Sequence, residues 1–227
     1  IFIPLHSLLA PLLISYNNFV EKKKTLYIMT EGGSLPLELS KTVASLKEKK
    51  LLDVSITIGN SFGGDYEAIN IFTALTAAKL FEADLVVVGI GPGHVGTNTA
   101  LGFSGTEIAL YCHAVKLLNG KPILVPRISF TEKRRRHQNI SHHTLTLLKK
   151  LIKDPIDVVF PDLNKVKTIV KKEKLENHNL YFYKTNKIDK ILRKSNFKLL
   201  SMGKYYEDDP IFFITAGLAA LRRIEIM

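Results

Sequence analysis

The sequence predicts an α/β fold: a doubly wound, mostly parallel sheet of about six strands with helices on both faces (Rossmann-like). Short β-branched runs alternate with amphipathic helical patterns from residue 25 to the end of the chain. The run at residues 84–90 includes LVVV, a continuous apolar stretch expected of a strand covered on both faces. No internal repeat or low-complexity linker interrupts the pattern, so we expect a single domain over residues 1–227.

The expected strands are short runs rich in β-branched or aromatic residues. They lie at residues 25–29, 53–58, 84–90, 122–125, 157–160 and 180–183, with a further candidate at residues 198–202. Helical patterns separate most of these runs, and parallel strands need such long connections. The sheet is therefore expected to be parallel, with right-handed crossovers.

The first helical pattern follows the strand at residues 25–29. Its apolar residues recur at the spacing of one helix face: Leu35, Leu39, Val43 and Leu46. Ser34 comes directly before them, and serine is a favoured N-cap residue. We therefore expect a helix that begins immediately after Ser34.

Three later helices also carry N-terminal signals. Ser104 and Glu107 have the spacing of a capping box, and Ser141 is a candidate N-cap. Asp209 precedes Pro210, which suits the first position of a helix. The sequence that follows, IFFITAGLAAL, is apolar on all sides, so we expect this last helix to be buried.

Composition limits the class of protein. The chain of 227 residues is 46% hydrophobic, enough for a sizeable core, and has no run long and apolar enough to cross a bilayer. A single cysteine, Cys112, cannot form an internal disulfide, so we expect a reducing, cytoplasmic location. Because the chain begins with Ile1, we also expect it to be the C-terminal part of a longer protein.

The formal net charge of +11 raises the question of a nucleic-acid partner. Most of the basic residues are lysines spread along helical patterns, and no zinc-ligand pairs or aromatic RNA-binding signature accompany them. Solvated helix faces explain them, so we expect no nucleic-acid partner. A nucleic-acid-associated basic protein stays open as an alternative, and base rates favour a homodimer.

Glycine and polar residues concentrate where the expected strands end, in the loops at residues 30–36, 59–68, 89–107 and 126–144. The carboxyl ends of parallel strands meet at one edge of a sheet, where ligands bind. Glycine also lets backbone N–H groups approach a ligand closely. The expected ligand-binding residues are Gly32, Gly33, Ser34, Gly63, Gly64, Glu67, Gly91, Gly93, His94, Gly96, Thr97, Ser104 and Arg127.

The stretch GPGHVG, which begins at Gly91, matches G-x-G-x-x-G after a strand. It comes late in the sheet, and the next strand ends on Arg127 rather than on an acid, so a dinucleotide site is poorly supported. As an anion-binding loop it fits better. Arg127 and the run at residues 133–136 add positive charge suited to a phosphate or carboxylate ligand.

Four side chains are candidates for catalysis: Glu31, Asp65, His142 and His143. We expect Asp65 and Glu67 to open a helix, where they would act either as an N-cap and first-turn acid or as ligands. Adjacent helical residues diverge by about 100°, so we expect His142 and His143 not to share an ion. No motif of metal-ligand spacing is present, so no metal is expected and the cofactor is unknown.

Several stretches resemble a bacterial family catalogued as domain of unknown function 3866. They are LHSLLAP, GSLPLELSKTV, SFGGDYEAIN, GPGHVGTNTALGFSGTE, VPRISF, SHHT and EDDPIFF, and they are distributed over nearly the whole chain. The resemblance implies a further N-terminal segment, as family members generally carry one. It implies no catalytic activity, because the family has none established.

Three functions remain open from the sequence. The first is a protein that binds a small anionic metabolite or nucleotide at the carboxyl edge of the sheet, with hydrolysis or group transfer as the chemistry if it is an enzyme. The second is a non-catalytic regulatory or interaction module that uses the same pocket. The third is the nucleic-acid-associated protein that the positive charge suggests.

Overall fold

The computed structural model describes residues 1–21, 23–32 and 35–227. Gly33 and Ser34, expected to contact a ligand, lie outside the described residues. The same holds for the expected cap at Ser34.

Most of the strands form one sheet. In chain order the strands are β1 (Phe2–Ile3), β2 (Thr25–Thr30), β3 (Val54–Ile58), β4 (Tyr66–Ala68), β5 (Leu85–Ile90), β6 (Ile123–Leu124), β7 (Ile128–Ser129), β8 (Asn139–Ile140), β9 (Asp157–Pro161), β10 (Asn179–Tyr183), β11 (Leu200–Ser201) and β12 (Lys204–Tyr205). The main sheet has the order β10-β9-β6-β1-β5-β2-β3-β4. Every neighbouring pair in it is parallel.

The α/β class and the parallel sheet are thus confirmed, and in the described part of the chain this sheet has eight strands rather than about six. Two of the strands described in the main sheet were not predicted from the sequence. β1 has two residues and lies at the centre of the sheet, and β4 is an edge strand with the sequence YEA. Neither is long enough to show a strand pattern.

Helices cover both faces of the sheet. They are α1 (Leu9–Phe19), α2 (Lys41–Glu48), α3 (Ile71–Leu80), α4 (Glu107–Leu117), α5 (His142–Thr146), α6 (Asn164–Glu173), α7 (Asn186–Lys194) and α8 (Pro210–Glu225). One apolar core joins α1, α2, α7 and α8 to the sheet, and a second joins α3, α4, α5 and α6 to its other face. Along β2, Tyr27 and Met29 enter the first core, whereas Leu26 and Ile28 enter the second. Within the described residues, the helices fall short of the length and apolarity needed to span a membrane.

The expected helix after Ser34 begins later than predicted, which makes that prediction wrong. α2 starts at Lys41, and Ser40 caps it by accepting a hydrogen bond from the Val43 amide at 3.1 Å. Leu35 and Leu39 are 44% and 67% exposed and precede the helix; Leu39 belongs to a 3₁₀ turn at Leu37–Leu39, and Leu35 comes before that turn. Their helical spacing from Val43 was coincidental.

The capping box at Ser104 and Glu107 is also wrong. Ser104 Oγ accepts from the Val95 amide, and Glu107 instead accepts hydrogen bonds from Thr30 and Tyr111. The cap at Ser141 is confirmed, since its Oγ accepts from the His143 amide at 3.2 Å. The buried last helix with Pro210 in its first turn is confirmed as well.

Asp65 and Glu67 do not open a helix, which corrects a further prediction. They flank the start of β4, and α3 begins after Asn70, whose side chain accepts from the amides of Phe72 and Thr73. The candidate strand at residues 198–202 supplies β11, which pairs antiparallel with β12 outside the main sheet.

Candidate functional site

A cleft of about 860 Å³ lies at the carboxyl edge of the central strands β6, β1 and β5. Its walls come from the chain that follows each of these strands, together with the β11–β12 hairpin. Most of the lining residues fall within residues 5–7, 91–96, 127–143 and 200–204. Two of the four expected loops therefore meet here, those at residues 89–107 and 126–144.

The cleft is strongly basic. Among the described residues that line it, five are basic and Glu132 is the one acid; the basic residues are Arg127, Lys133, Arg134, Arg136 and Lys204. Such an imbalance of charge in a concave surface attracts anions.

Arg127 is the most buried of these cations, with 3% of its surface exposed. Its Nη2 lies 3.3 Å from Oε2 of Glu132, and Arg134 donates to both oxygens of the same carboxylate at 3.1 and 2.8 Å. The hydrogen bonds from Arg134 lower the pKa of Glu132 to about 2. Nε of Arg127 has no hydrogen-bond partner among the described residues. One carboxylate therefore serves two guanidinium groups, and the buried Arg127 is incompletely compensated.

The loop after β5 forms another wall. Gly93 has a φ of 99°, a left-handed conformation that favours glycine. A Cβ on Gly96 would lie 3.1 Å from Cε1 of His143, so a small residue is needed there for the imidazole to pack against the loop. This loop also carries His94, whose ring faces His143.

Four histidines gather beside this wall. His94 Nε2 lies 3.4 Å from His143 Nδ1, and the ring centroids of His142 and His143 are 4.3 Å apart. His137 joins them, because one ring nitrogen from each of His137, His142 and His143 lies within 4.8 Å of the others. The expectation that His142 and His143 diverge is therefore wrong. The rotation between successive helical residues sets only the directions of the two Cα–Cβ bonds, and the side chains beyond Cβ bring the two rings together.

These imidazoles are held neutral. Burial, with a contribution from Arg127, lowers the pKa of His94 to about 4 and that of His137 to about 3. Burial and the neighbouring histidines lower the pKa of His143 to about 2. Burial and Arg136 lower the pKa of His142 as well. A neutral imidazole offers one lone pair to a metal or a proton donor.

The expected acids lie elsewhere. Glu31 Oε1 accepts from the Asn60 amide at 3.0 Å. Asp65 lies beside the first residues of β3, where it accepts from the Ser55 amide and pairs with Lys47 at 2.6 Å. Neither is among the residues that line the cleft. Asp65 thus has a structural role at the edge of the sheet, where it connects β3 to Lys47 of α2.

The structure divides the expected ligand-binding residues into two groups. Gly91, Gly93, His94, Gly96 and Arg127 line the cleft. Of the two histidines expected as catalytic candidates, His143 lines the cleft as well and His142 packs against His143. Gly32, Gly63, Gly64, Glu67, Thr97 and Ser104 are not among its lining residues. Thr97 and Ser104 instead hydrogen-bond within their own loop, to Gly102 and Val95.

Sequence reasoning missed several contributors to the site, among them two histidines. His137 stands five residues before His142, and its role depends on the β7–β8 pairing and on a 2.8 Å hydrogen bond between its Nδ1 and Ser141 Oγ. The spacing H-x₄-H-H was the available signal. His6 lines the cleft because β1 is a central strand, which the sequence did not reveal.

Comparison with known proteins agrees with the resemblance found in the sequence. The model of a family described as protein of unknown function (DUF3866) matches residues 1–220. No curated protein and no solved structure gives a significant match. The match includes every strand of the main sheet and all the residues of the cleft named above. On this evidence, the chain belongs to the DUF3866 family of proteins of unknown function.

Proposed function

We propose that the cleft binds a small anionic metabolite or nucleotide through phosphate or carboxylate groups. The observation that carries this proposal is the buried Arg127, which shares Glu132 with Arg134 and keeps an unpartnered Nε among the described residues. A guanidinium is well suited to pair with two oxygens of a phosphate or carboxylate. A bound anion would supply the charge that Glu132 alone does not.

The shape of the cleft supports a small ligand. Its volume of about 860 Å³ falls within the range of about 300–1,000 Å³ usual for small-molecule sites. The glycine-containing loop at Gly91 to Gly96 lines one wall, and three further cations, Lys133, Arg136 and Lys204, line the cleft. Hydrolysis or group transfer is the chemistry we propose if turnover occurs, with His142 and His143 as the candidate catalytic residues.

Binding can be measured by isothermal titration calorimetry with inorganic phosphate, pyrophosphate and adenosine monophosphate, in buffer that contains a chelator. We expect at least one of these anions to bind, and R127M to weaken that binding by about tenfold or more, since one charge-assisted interaction is lost. R193M is the matched control, because Arg193 pairs with Asp189 on α7, outside the cleft. Equal loss in both variants, or none in R127M, would refute the proposal.

The regulatory alternative uses the same cleft and differs only in the absence of turnover, so an assay of released product on a ligand that binds separates the two. The nucleic-acid alternative predicts affinity that falls steeply with salt concentration. The homodimer, the cytoplasmic location and a further N-terminal segment stay predictions.

A further inference from the structure

Three histidines converge in and beside one wall of the cleft. His137 and His143 are 2% and 6% exposed and line it, and His142 packs against both. One ring nitrogen of each lies within 4.8 Å of the other two. Such a cluster brings several imidazole lone pairs close together. Hydrogen bonds among the rings alone do not account for this arrangement.

Two ring nitrogens of this cluster are left unsatisfied. Nε2 of His142 and Nε2 of His143 are buried and have no hydrogen-bond partner among the described residues. A buried polar atom without a partner is costly, and native structures contain few of them. A ligand that accepts lone pairs from both nitrogens would remove that cost.

Neighbouring groups hold the rings in place. Phe103 stacks on His143 with ring centroids 3.9 Å apart and planes 4° from parallel. His94 Nε2 lies 3.4 Å from His143 Nδ1; when Nδ1 is the donor, the lone pair of His143 Nε2 is free. Ser141 holds the ring of His137 in a similar way. Its Oγ lies 2.8 Å from His137 Nδ1, so Nε2 is the nitrogen of that ring that remains for a metal ligand bond.

We propose that His137, His142 and His143 bind one divalent transition-metal ion of the zinc class, with a coordination position open to the cleft. This inference deepens the proposed function and rests on it for the anion that would occupy the open position. Imidazole nitrogens suit Zn²⁺, Co²⁺ and Ni²⁺, whereas Mg²⁺ and Ca²⁺ prefer oxygen ligands. Three protein ligands with one open position are typical of catalytic rather than structural zinc sites.

Arg136 opposes this site most directly, by a hydrogen bond to one of its histidines. The charges of Arg127 and Arg134 also act on His137. Nε of Arg136 donates to His137 Nε2 at 3.2 Å, and its Nη1 lies 3.4 Å from Asn98 Oδ1. A metal bound by His137 Nε2 displaces that hydrogen bond and lies near a like charge. Removal of the Arg136 guanidinium is therefore expected to strengthen metal binding, whereas loss of a histidine weakens it.

Cobalt titration of the full chain without a histidine tag, in phosphate-free buffer, tests the site. We expect visible d–d absorption that saturates at roughly one ion per chain. H142Q and H143Q should each weaken binding by about tenfold or more, and R136M should tighten it several-fold. H113Q is the matched control, because His113 is exposed and pairs with Asp154. Circular dichroism identifies any variant that fails to fold, and R136M tests the site in that case.

Three results would overturn the inference: no saturable cobalt spectrum, unchanged binding in a folded H142Q or H143Q, or equal loss in H113Q. The anion site is judged separately, by phosphate binding in the presence of chelator. Phosphate binding that depends on Arg127 without any cobalt binding removes the metal site and leaves the anion site. Cobalt binding that meets the expectations without any anion binding removes the proposed function instead.

Discussion

At the scale of single residues, the cleft depends on how few acids balance its cations. Glu132 has 9% of its side chain exposed and accepts hydrogen bonds from Arg127 and Arg134. A buried ion pair adds little net stability when intact, but loss of one partner strands the other charge. Glu132 is therefore a support for Arg127 and also a competitor of any anion that binds it.

Glu132→Gln should lower the free energy of unfolding by about 3 kcal/mol, because the buried Arg127 loses its counter-charge. The same variant should bind phosphate more tightly where it remains folded, because the competing carboxylate is gone. Urea denaturation and calorimetry measure the two effects. Glu173→Gln, which breaks the exposed pair with Lys149, should cost less than about 1 kcal/mol. A similar cost in both variants would show that Arg127 does not need Glu132.

Single residues also show what sequence can and cannot reveal. Arg127 was found because it follows an expected strand, and position at the carboxyl edge is a local property of the pattern. His137 was missed because no helix or strand pattern places it near His142; a turn and a hydrogen bond to Ser141 do so. Asp65 was misplaced because the chain after β3 runs back along that strand before β4 forms.

At the scale of elements, a histidine links the loop after β1 to the start of α2. His6 Nε2 lies 2.7 Å from Oγ of Ser40, the N-cap of α2, and its Nδ1 lies 3.0 Å from the Tyr27 hydroxyl on β2. Tyr27 in turn donates to the carbonyl oxygen of Gly89 on β5. The imidazole thus connects the loop after β1 to β2 and to the N-terminus of α2, and the Tyr27 hydroxyl extends the connection to β5.

This link should make stability depend on pH. Burial lowers the pKa of His6 from 6.5 to about 4, so between these values the unfolded chain holds more protons than the folded one. The free energy of unfolding therefore falls as pH falls from about 6.5 to about 4, by up to about 1.4 kcal/mol per pH unit from this residue. Urea denaturation at several pH values should show a flatter profile for His6→Gln than for the wild-type chain.

His113→Gln is the control for this experiment, because that exposed histidine should leave the steepness of the wild-type profile intact. Parallel profiles for His6→Gln and the wild-type chain would contradict the role given to His6. The groups that face its ring, Tyr27 and Ser40, do not titrate in this pH range.

The longer strands were predicted to within a residue or two, whereas helix α1 was not predicted. The strand expected at residues 84–90 is β5 (Leu85–Ile90), and that at residues 25–29 is β2. Both carry enough β-branched or apolar residues for the pattern to be read. α2 was placed too early because the helical spacing of apolar residues continues through the 3₁₀ turn that precedes it. That spacing does not show where a turn ends and a helix begins.

At the scale of the whole molecule, β1 joins the two halves of the main sheet, because it lies between β6 and β5. Phe2 pairs with Val88 of β5 on one side and with Leu124 of β6 on the other. A Cβ on Gly89 would lie 2.6 Å from Cγ1 of Ile3, so these two strands pack as closely as glycine allows. The loop with His6 follows β1 directly, and the cleft therefore depends on this contact.

Gly89→Ala should lower the free energy of unfolding by about 1–3 kcal/mol, because the added methyl group overlaps Ile3 in a packed core. The double variant Gly89→Ala with Ile3→Ala should cost less than the sum of the two single variants, since the cavity accepts the methyl group. Urea denaturation of all three variants measures the coupling. Additive costs would show that β1 and β5 are not in close contact.

The central position of β1 also has a consequence for synthesis. Because synthesis proceeds from the N-terminal side, Phe2 and Ile3 are made before their partners on β5 and β6, which lie more than eighty residues later. Until Leu124 has left the ribosome, the two halves of the sheet cannot join, and apolar strand edges stay exposed. Pairings so distant in sequence are slow to form. Among the strands of the main sheet, β1 is thus translated first and is separated from its partners by the longest stretches of sequence.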